Sequence, residues 1–149
     1  MPNDVLRCRP WKENYSPRKI LAIRFQALGD LMITLPYLQS VKELHGNVRL
    51  DLLTRQEVCS IPNAISLFHK VFSIGGGRNS KFQFLFTLLL LPRLWRERYD
   101  VVVDLQNHRI SRFVRILLNA KAWSEFDRSS KVFAGERTRL AIDVLNIGK

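Results

Sequence analysis

Two short stretches of this sequence carry side chains that can do chemistry, and each sits where a strand gives way to a helix. Gly29-Asp30 follows the apolar run Ile20 to Phe25 and precedes a helical pattern from Leu31 to Leu44. Gln106-Asn107-His108-Arg109 follows Asp100-Val-Val-Val-Asp-Leu105 and opens a second helical pattern. Glycine allows a tight turn, and an aspartate at a helix start accepts hydrogen bonds from backbone N–H groups. The same setting keeps the carboxylate ionised at neutral pH, ready to accept a proton. Asp30 therefore reads either as a plain helix cap or as a general base. His108 can bind ligand or relay a proton, against the bland reading of a solvated loop histidine. Arg109, Arg112 and Arg115 read as the solvated side of an amphipathic helix. Arg109 alone of the three is held as a ligand candidate, because it falls in the helix's first turn.

The elements that would position these residues follow from periodicity. Ile20–Phe25 is near-continuously apolar, as a strand covered on both faces should be. Val48–Thr54 sets Val48, Leu50 and Leu52 against Arg49 and Asp51, a second strand. Val71–Ile74 is a short third, Asp100–Leu105 a fourth and Ala122–Phe126 a weaker fifth. Helices are expected from Leu31 to Leu44 (with Pro36 imposing a kink or a looser first turn), from Phe82 to Arg98, from Arg109 to Asn119 and from Glu136 to Leu145. Gln56–Lys70 suggests a short helix and a loop. Alternation of this kind implies an α/β fold, a Rossmann-like doubly wound parallel sheet, with right-handed crossovers making the strand order 3-2-1-4-5. The switch point then lies between the first and fourth strands. Gln26, Gly29 and Asp30 would face Gln106, Asn107, His108 and Arg109 across one crevice. Residues 1–18, which contain Pro10 and Pro17, are expected to form an extended lead-in, and 19–149 one domain.

Composition bounds the function. A chain of 149 residues with 46% hydrophobic and 25% charged residues has the make-up of one globular domain. Its net charge of +11 favours anionic partners: a phosphorylated glycolipid, a nucleotide, nucleic acid or an acidic membrane face. Nucleic acid is the least favoured, since no recognition-helix motif and no basic–aromatic interleaving is present. Cys8 and Cys59 make neither a disulfide framework nor a metal-ligand spacing, and no metal is expected. The start lacks the apolar core of a signal peptide, and Phe84–Leu91 is far short of the ~20 apolar residues a membrane span needs. The expected location is cytoplasmic. Gly29 is the only glycine of the first turn, so no dinucleotide fingerprint exists, and no Walker sequence is present. Gly75-Gly76-Gly77 could cradle a phosphate, but follows an edge strand in the expected order and reads as a loop. His45 and His69 read as surface residues. The Phe82–Arg98 helix, apolar almost all round with a basic end, is expected to bury against the sheet; partial exposure would make it an interfacial anchor on anionic lipid.

Taken together, Lys19-Ile-Leu-Ala-Ile-Arg24, Leu28-Gly29-Asp30, Thr34-Leu35-Pro36-Tyr37-Leu38, Val48 to Thr54, Arg98-Tyr99-Asp100-Val-Val-Val-Asp104-Leu-Gln106 and Gly135-Glu136-Arg137-Thr138-Arg139 resemble the amino-terminal half of the family-9 glycosyltransferases, the lipopolysaccharide heptosyltransferases. The resemblance runs from Lys19 onward and implies half of a GT-B enzyme. In that family an inverting transfer moves a sugar, typically heptose from ADP-heptose, to the lipopolysaccharide inner core without a metal or other cofactor. The resemblance makes Asp30 the general base and places the acceptor in this half, at the inner face of a bacterial membrane. The chain departs from the family before the turn, where Phe25, Gln26 and Ala27 replace small hydroxyl residues. It departs again in a shorter segment between Phe126-Asp127-Arg128 and Gly135-Glu136-Arg137. It ends at Lys149, about where the family crosses into its carboxyl-terminal donor domain. A fragment, a truncated reading frame and a half awaiting a partner are all consistent with that, and each is expected to be inactive alone. The alternative is a non-catalytic binding module for a phosphorylated glycolipid or an anionic membrane surface.

Overall fold

A computed structural model describes residues 8–9, 11–12, 17–25, 28–44, 48–55, 67–75, 79–105 and 109–125. The elements are β1 (Cys8–Arg9), β2 (Lys19–Ile23), α1 (Leu28–Leu44), β3 (Arg49–Arg55), β4 (Val71–Ile74), α2 (Ser80–Glu97), β5 (Val101–Asp104), α3 (Arg109–Leu118) and β6 (Ala122–Glu125). They form one sheet in the order β1-β6-β5-β2-β3-β4. From β2 to β6 all pairings are parallel, and in chain order these five strands read 3-2-1-4-5 as expected. The lead-in adds a sixth strand, β1, antiparallel to β6 with Cys8 opposite Ser124. Its two residues carry no alternating pattern, so nothing in the sequence marked them as sheet. Of the short helix and loop expected over Gln56–Lys70, residues 56–66 lie outside the described residues, as does the helix expected over Glu136–Leu145.

Strand period explains why Ile20 to Ile23 of β2 are all apolar. Ile20 and Ala22 join Leu38 and Val41 of α1 on one face of the sheet. Leu21 and Ile23 join Leu91 and Leu94 of α2 and Val114 of α3 on the other. Each fully buried Ile or Leu contributes roughly 1.5–3 kcal/mol relative to exposure. Pro36 lies inside α1 and Pro92 inside α2, and both are exposed. Each ring deprives one helical carbonyl of its N–H partner, and on the solvent side water can supply the replacement. Asn79 caps α2, its Oδ1 accepting from the N–H groups of Lys81 and Phe82 at 3.0 and 3.4 Å. Arg98 closes that helix in the left-handed region at φ 51°, donating its N–H to the Trp95 carbonyl.

Charged residues lock the amino edge of the sheet. The Glu97 carboxylate receives Lys70 Nζ at 2.5 Å, Arg49 Nη2 at 3.1 Å and Lys19 Nζ at 3.4 Å. Beside it, the Tyr99 hydroxyl donates to Asp51 Oδ2 at 2.6 Å, and Lys70 N–H donates to Asp51 Oδ1 at 3.0 Å. Asp100 Oδ2 accepts from the backbone of Arg18 and Lys19. The starts of β2, β3, β4 and β5 are thereby tied into one network. The Lys70 hydrogen bond, with help from Lys19 and Arg49, outweighs burial and lowers the Glu97 pKa from its ordinary 4.5. Burial first, and the Asp51 carboxylate second, push the Tyr99 hydroxyl well above the usual phenol range. The depressed Glu97 value means its stabilisation is present above pH 4.5 and is lost as pH falls through the folded value. Glu97→Gln should lower stability at pH 7 by about 2 kcal/mol. It should also flatten the acid limb of a plot of unfolding free energy against pH. A variant curve parallel to the parent's below pH 4.5 would count against this assignment.

Candidate functional site

The carboxyl edge is where the strand order reverses. β2 lies between β3 and β5; the chain leaves β2 through α1 toward β3, and β5 lies on the opposite side. Ile23 pairs with Asp104, so the two strands end level. Beyond that register Leu105 N–H donates to the Ile23 carbonyl at 2.9 Å, and Arg24 N–H donates to the Leu53 carbonyl at 3.0 Å. Arg24 is buried, and its Nη1 donates to the Leu105 carbonyl across the switch point. A crevice outside this edge is the place where open α/β sheets take ligands.

The predicted site residues distribute as follows. Gly29 and Asp30 are the second and third residues of α1, so Asp30 falls in the first turn of the helix that starts from the switch point. Its side chain, like Gln26, Gln106, Asn107 and His108, lies outside the described residues. Arg109 is the first residue of α3 and is exposed. The strands that lead into the two loops are thus neighbours with level ends, and the helices that leave them begin at the same edge. Asp30 in the first turn of α1 and Arg109 at the start of α3 thus belong to helices that leave the same edge of the sheet. Among the described residues no group of three or more His, Cys, Asp or Glu could hold a metal ion. Gly75 follows edge strand β4, as expected, while 76–78 lie outside the described residues.

Two residues read otherwise in the sequence, and a third, Arg24, carried no reading of its own. Arg115, expected on the solvated side of its helix, is buried: its guanidinium stands 3.6 Å from Asp104 Oδ2 and 4.5 Å from the ring centre of Trp123. At 100° per residue it falls between the outward line of Arg109, Arg112 and Ile116 and the inward Ser111 and Val114, facing the sheet. An acid ending a fully apolar strand was the available signal, because a buried Asp104 needs a counter-charge. Asp51, expected on the polar face of β3, is fully buried, as both faces of that strand are. Arg24, at the end of the first apolar run, bridges β2 and β5 rather than reaching solvent.

The parallel order, the reversal beside β2 and the helix layers on both faces make this a Rossmann-like α/β domain. Solved structures on which the domain superposes include glycosyltransferases. The glycosyl transferase family 9 structure from Veillonella parvula superposes with a TM-score of 0.69 at 12% identity, over 87% of this chain and 41% of that one. E. coli heptosyltransferase WaaC with ADP superposes with a TM-score of 0.67 at 17% identity, over 85% of this chain and 47% of that one. E. coli ADP-heptose lps heptosyltransferase II gives 0.56 at 17% identity, over 68% and 28%. The chain therefore spans less than half the length of the structures it matches. No family model and no curated sequence matches it.

Proposed function

We propose that this chain is the acceptor-binding half of an inverting glycosyltransferase of the lipopolysaccharide heptosyltransferase type. One observation carries the reading: the domain has the fold of such enzymes, and at its switch point α1 begins with Asp30 in its first turn. In the transfer, the Asp30 carboxylate takes the proton of an acceptor hydroxyl as that oxygen attacks the anomeric carbon of the donor. The new C–O bond forms as the bond to the nucleoside diphosphate breaks, and the diphosphate leaves with the electron pair. Arg109 pairs with a phosphate or carboxylate of the inner-core acceptor, and Gln26, Gln106, Asn107 and His108 contact its hydroxyls. The donor, ADP-heptose by the same reading, binds a second domain that faces this edge. The reaction takes place on the cytoplasmic side of a bacterial inner membrane, where no helix of the described residues is long and apolar enough to cross.

The test uses the 149-residue chain and a phosphorylated inner-core oligosaccharide freed of lipid. Calorimetry should show binding that weakens with salt, and Arg109→Gln should weaken it about tenfold. ADP-heptose added to the mixture should release no ADP. Absence of oligosaccharide binding would remove the acceptor assignment, and transfer by the chain alone would overturn its being a half.

A further inference from the structure

The helix layer formed by α2 and α3 has an inner and an outer surface of opposite character. Thr87, Leu91 and Leu94 of α2 face the sheet and are buried. Phe82, Leu85, Leu89, Arg93 and Arg96 follow steps of three and four and fall on the outward line. There Leu89 is 65% exposed, Phe82 54% and Leu85 50%, and Ile116 on the adjoining face of α3 is 69% exposed. The layer is held in place: the Phe84 ring packs 5.0 Å from that of Phe113, and Trp95 Nε1 donates to the Leu117 carbonyl at 2.7 Å. The expectation that this helix would simply bury is therefore met on one face only. A run of aromatic and aliphatic side chains remains in water along one line of the helix, the kind of exposed apolar surface that marks an interaction site.

Charge identifies the occupant. α3 contains no acid, and the single acid of α2, Glu97, points inward onto three cations. The outward rim is wholly basic, with Lys81 near one end of α2, Arg93 and Arg96 near the other, and Arg109 and Arg112 along α3. A second copy of a chain carrying +11 would set this rim against itself. Nucleic acid would engage the arginines and leave the leucines and Phe82 in water. An anionic lipid surface satisfies both, taking the apolar line into the acyl boundary and the arginines among headgroup phosphates. We infer that the outer face of α2 and α3 docks this protein on anionic bilayers, with α2 lying in the plane of the membrane. Arg109 belongs both to this face and to the crevice edge, so docking brings the crevice to headgroup level.

Flotation with phosphatidylglycerol–phosphatidylethanolamine vesicles tests the inference, with phosphatidylcholine vesicles as control. The chain should float with the anionic vesicles and be released by salt. Leu85→Gln combined with Leu89→Gln should lower partitioning by about tenfold or more. Arg93→Gln combined with Arg96→Gln should lower it roughly thirtyfold at low salt. Both variants should keep the parent's thermal midpoint, because the replaced side chains are exposed. Unchanged partitioning of either variant, or no flotation of the parent, would overturn the inference. So would a dimer that the leucine pair dissolves without any change in flotation. The vesicles carry no saccharide, so flotation without oligosaccharide binding would leave this surface assigned and remove the transferase reading. The converse result would do the opposite.

Discussion

In a transfer-competent protein containing this half, Asp30→Ala is expected to lower turnover by a factor of about 10²–10⁴, the range that a positioned general base supplies. The expectation rests on where the residue stands: the first turn of α1, at the point where the strand order reverses. A general base has to be unprotonated at the working pH, and an aspartate of ordinary acidity meets that condition at neutral pH. Its loss should reduce kcat and kcat/KM together, since proton transfer from the hydroxyl develops only as the oxygen attacks. Asp30→Asn separates this from the residue's part in the helix start. Asparagine keeps the size and a side-chain oxygen in the first turn, so stability should change by less than about 1 kcal/mol while turnover is still lost. Turnover within a fewfold of the parent in Asp30→Asn would reduce Asp30 to a helix-start carboxylate with no part in transfer.

The second large effect is on stability, at the opposite edge of the sheet. Asp51→Ala should destabilise the fold by about 3–5 kcal/mol, because it strands one buried and one part-buried donor together with the nearby cation. Those donors are the Tyr99 hydroxyl and the Lys70 N–H, and Arg49 Nη2 lies 3.9 Å from the same carboxylate. Tyr99→Phe removes a donor while leaving the ring and should cost about 1–2 kcal/mol. Urea unfolding of the single and double variants gives the coupling, which should exceed about 0.5 kcal/mol for residues in direct contact. Additive losses would mean that the short Tyr99–Asp51 contact contributes nothing of its own. Neither substitution should alter oligosaccharide affinity, since both residues sit at the amino edge and the crevice at the carboxyl edge.

The exposed apolar face of α2 bears on how the two ends of the molecule work together. A glycolipid acceptor is itself held in a membrane, so an enzyme acting on its saccharide has to work at headgroup height. Under the proposed function, the basic, apolar-lined layer beside the crevice is what would hold it at that height. It also gives the large net charge a location, since the rim of α2 and α3 contributes cations and no outward acid.

Much of this was legible in the residues alone. Short, near-continuous apolar runs at Ile20–Phe25 and Val101–Leu105, and steps of three and four in Ile110–Leu118, marked strands and helices in alternation, and that alternation implied the parallel sheet. The right-handed crossover then determined the strand order and the switch point, and with them the position of Gly29-Asp30. These properties are local, or follow from chain chirality, so no knowledge of distant contacts is needed. Tertiary structure alone decided what depends on residues far apart in the chain. Asp51 alternates like a solvent-facing strand residue, yet it is buried because Tyr99, 48 residues away, brings a hydroxyl to it. Arg115 lies within a basic stripe, yet it turns inward because Asp104 requires a counter-charge and Trp123 offers a ring face. α2 is apolar on nearly every side, and periodicity cannot say which side meets the sheet. Only the packing of Leu91 and Leu94 against β2 and α3 settles that, leaving Phe82, Leu85 and Leu89 in water.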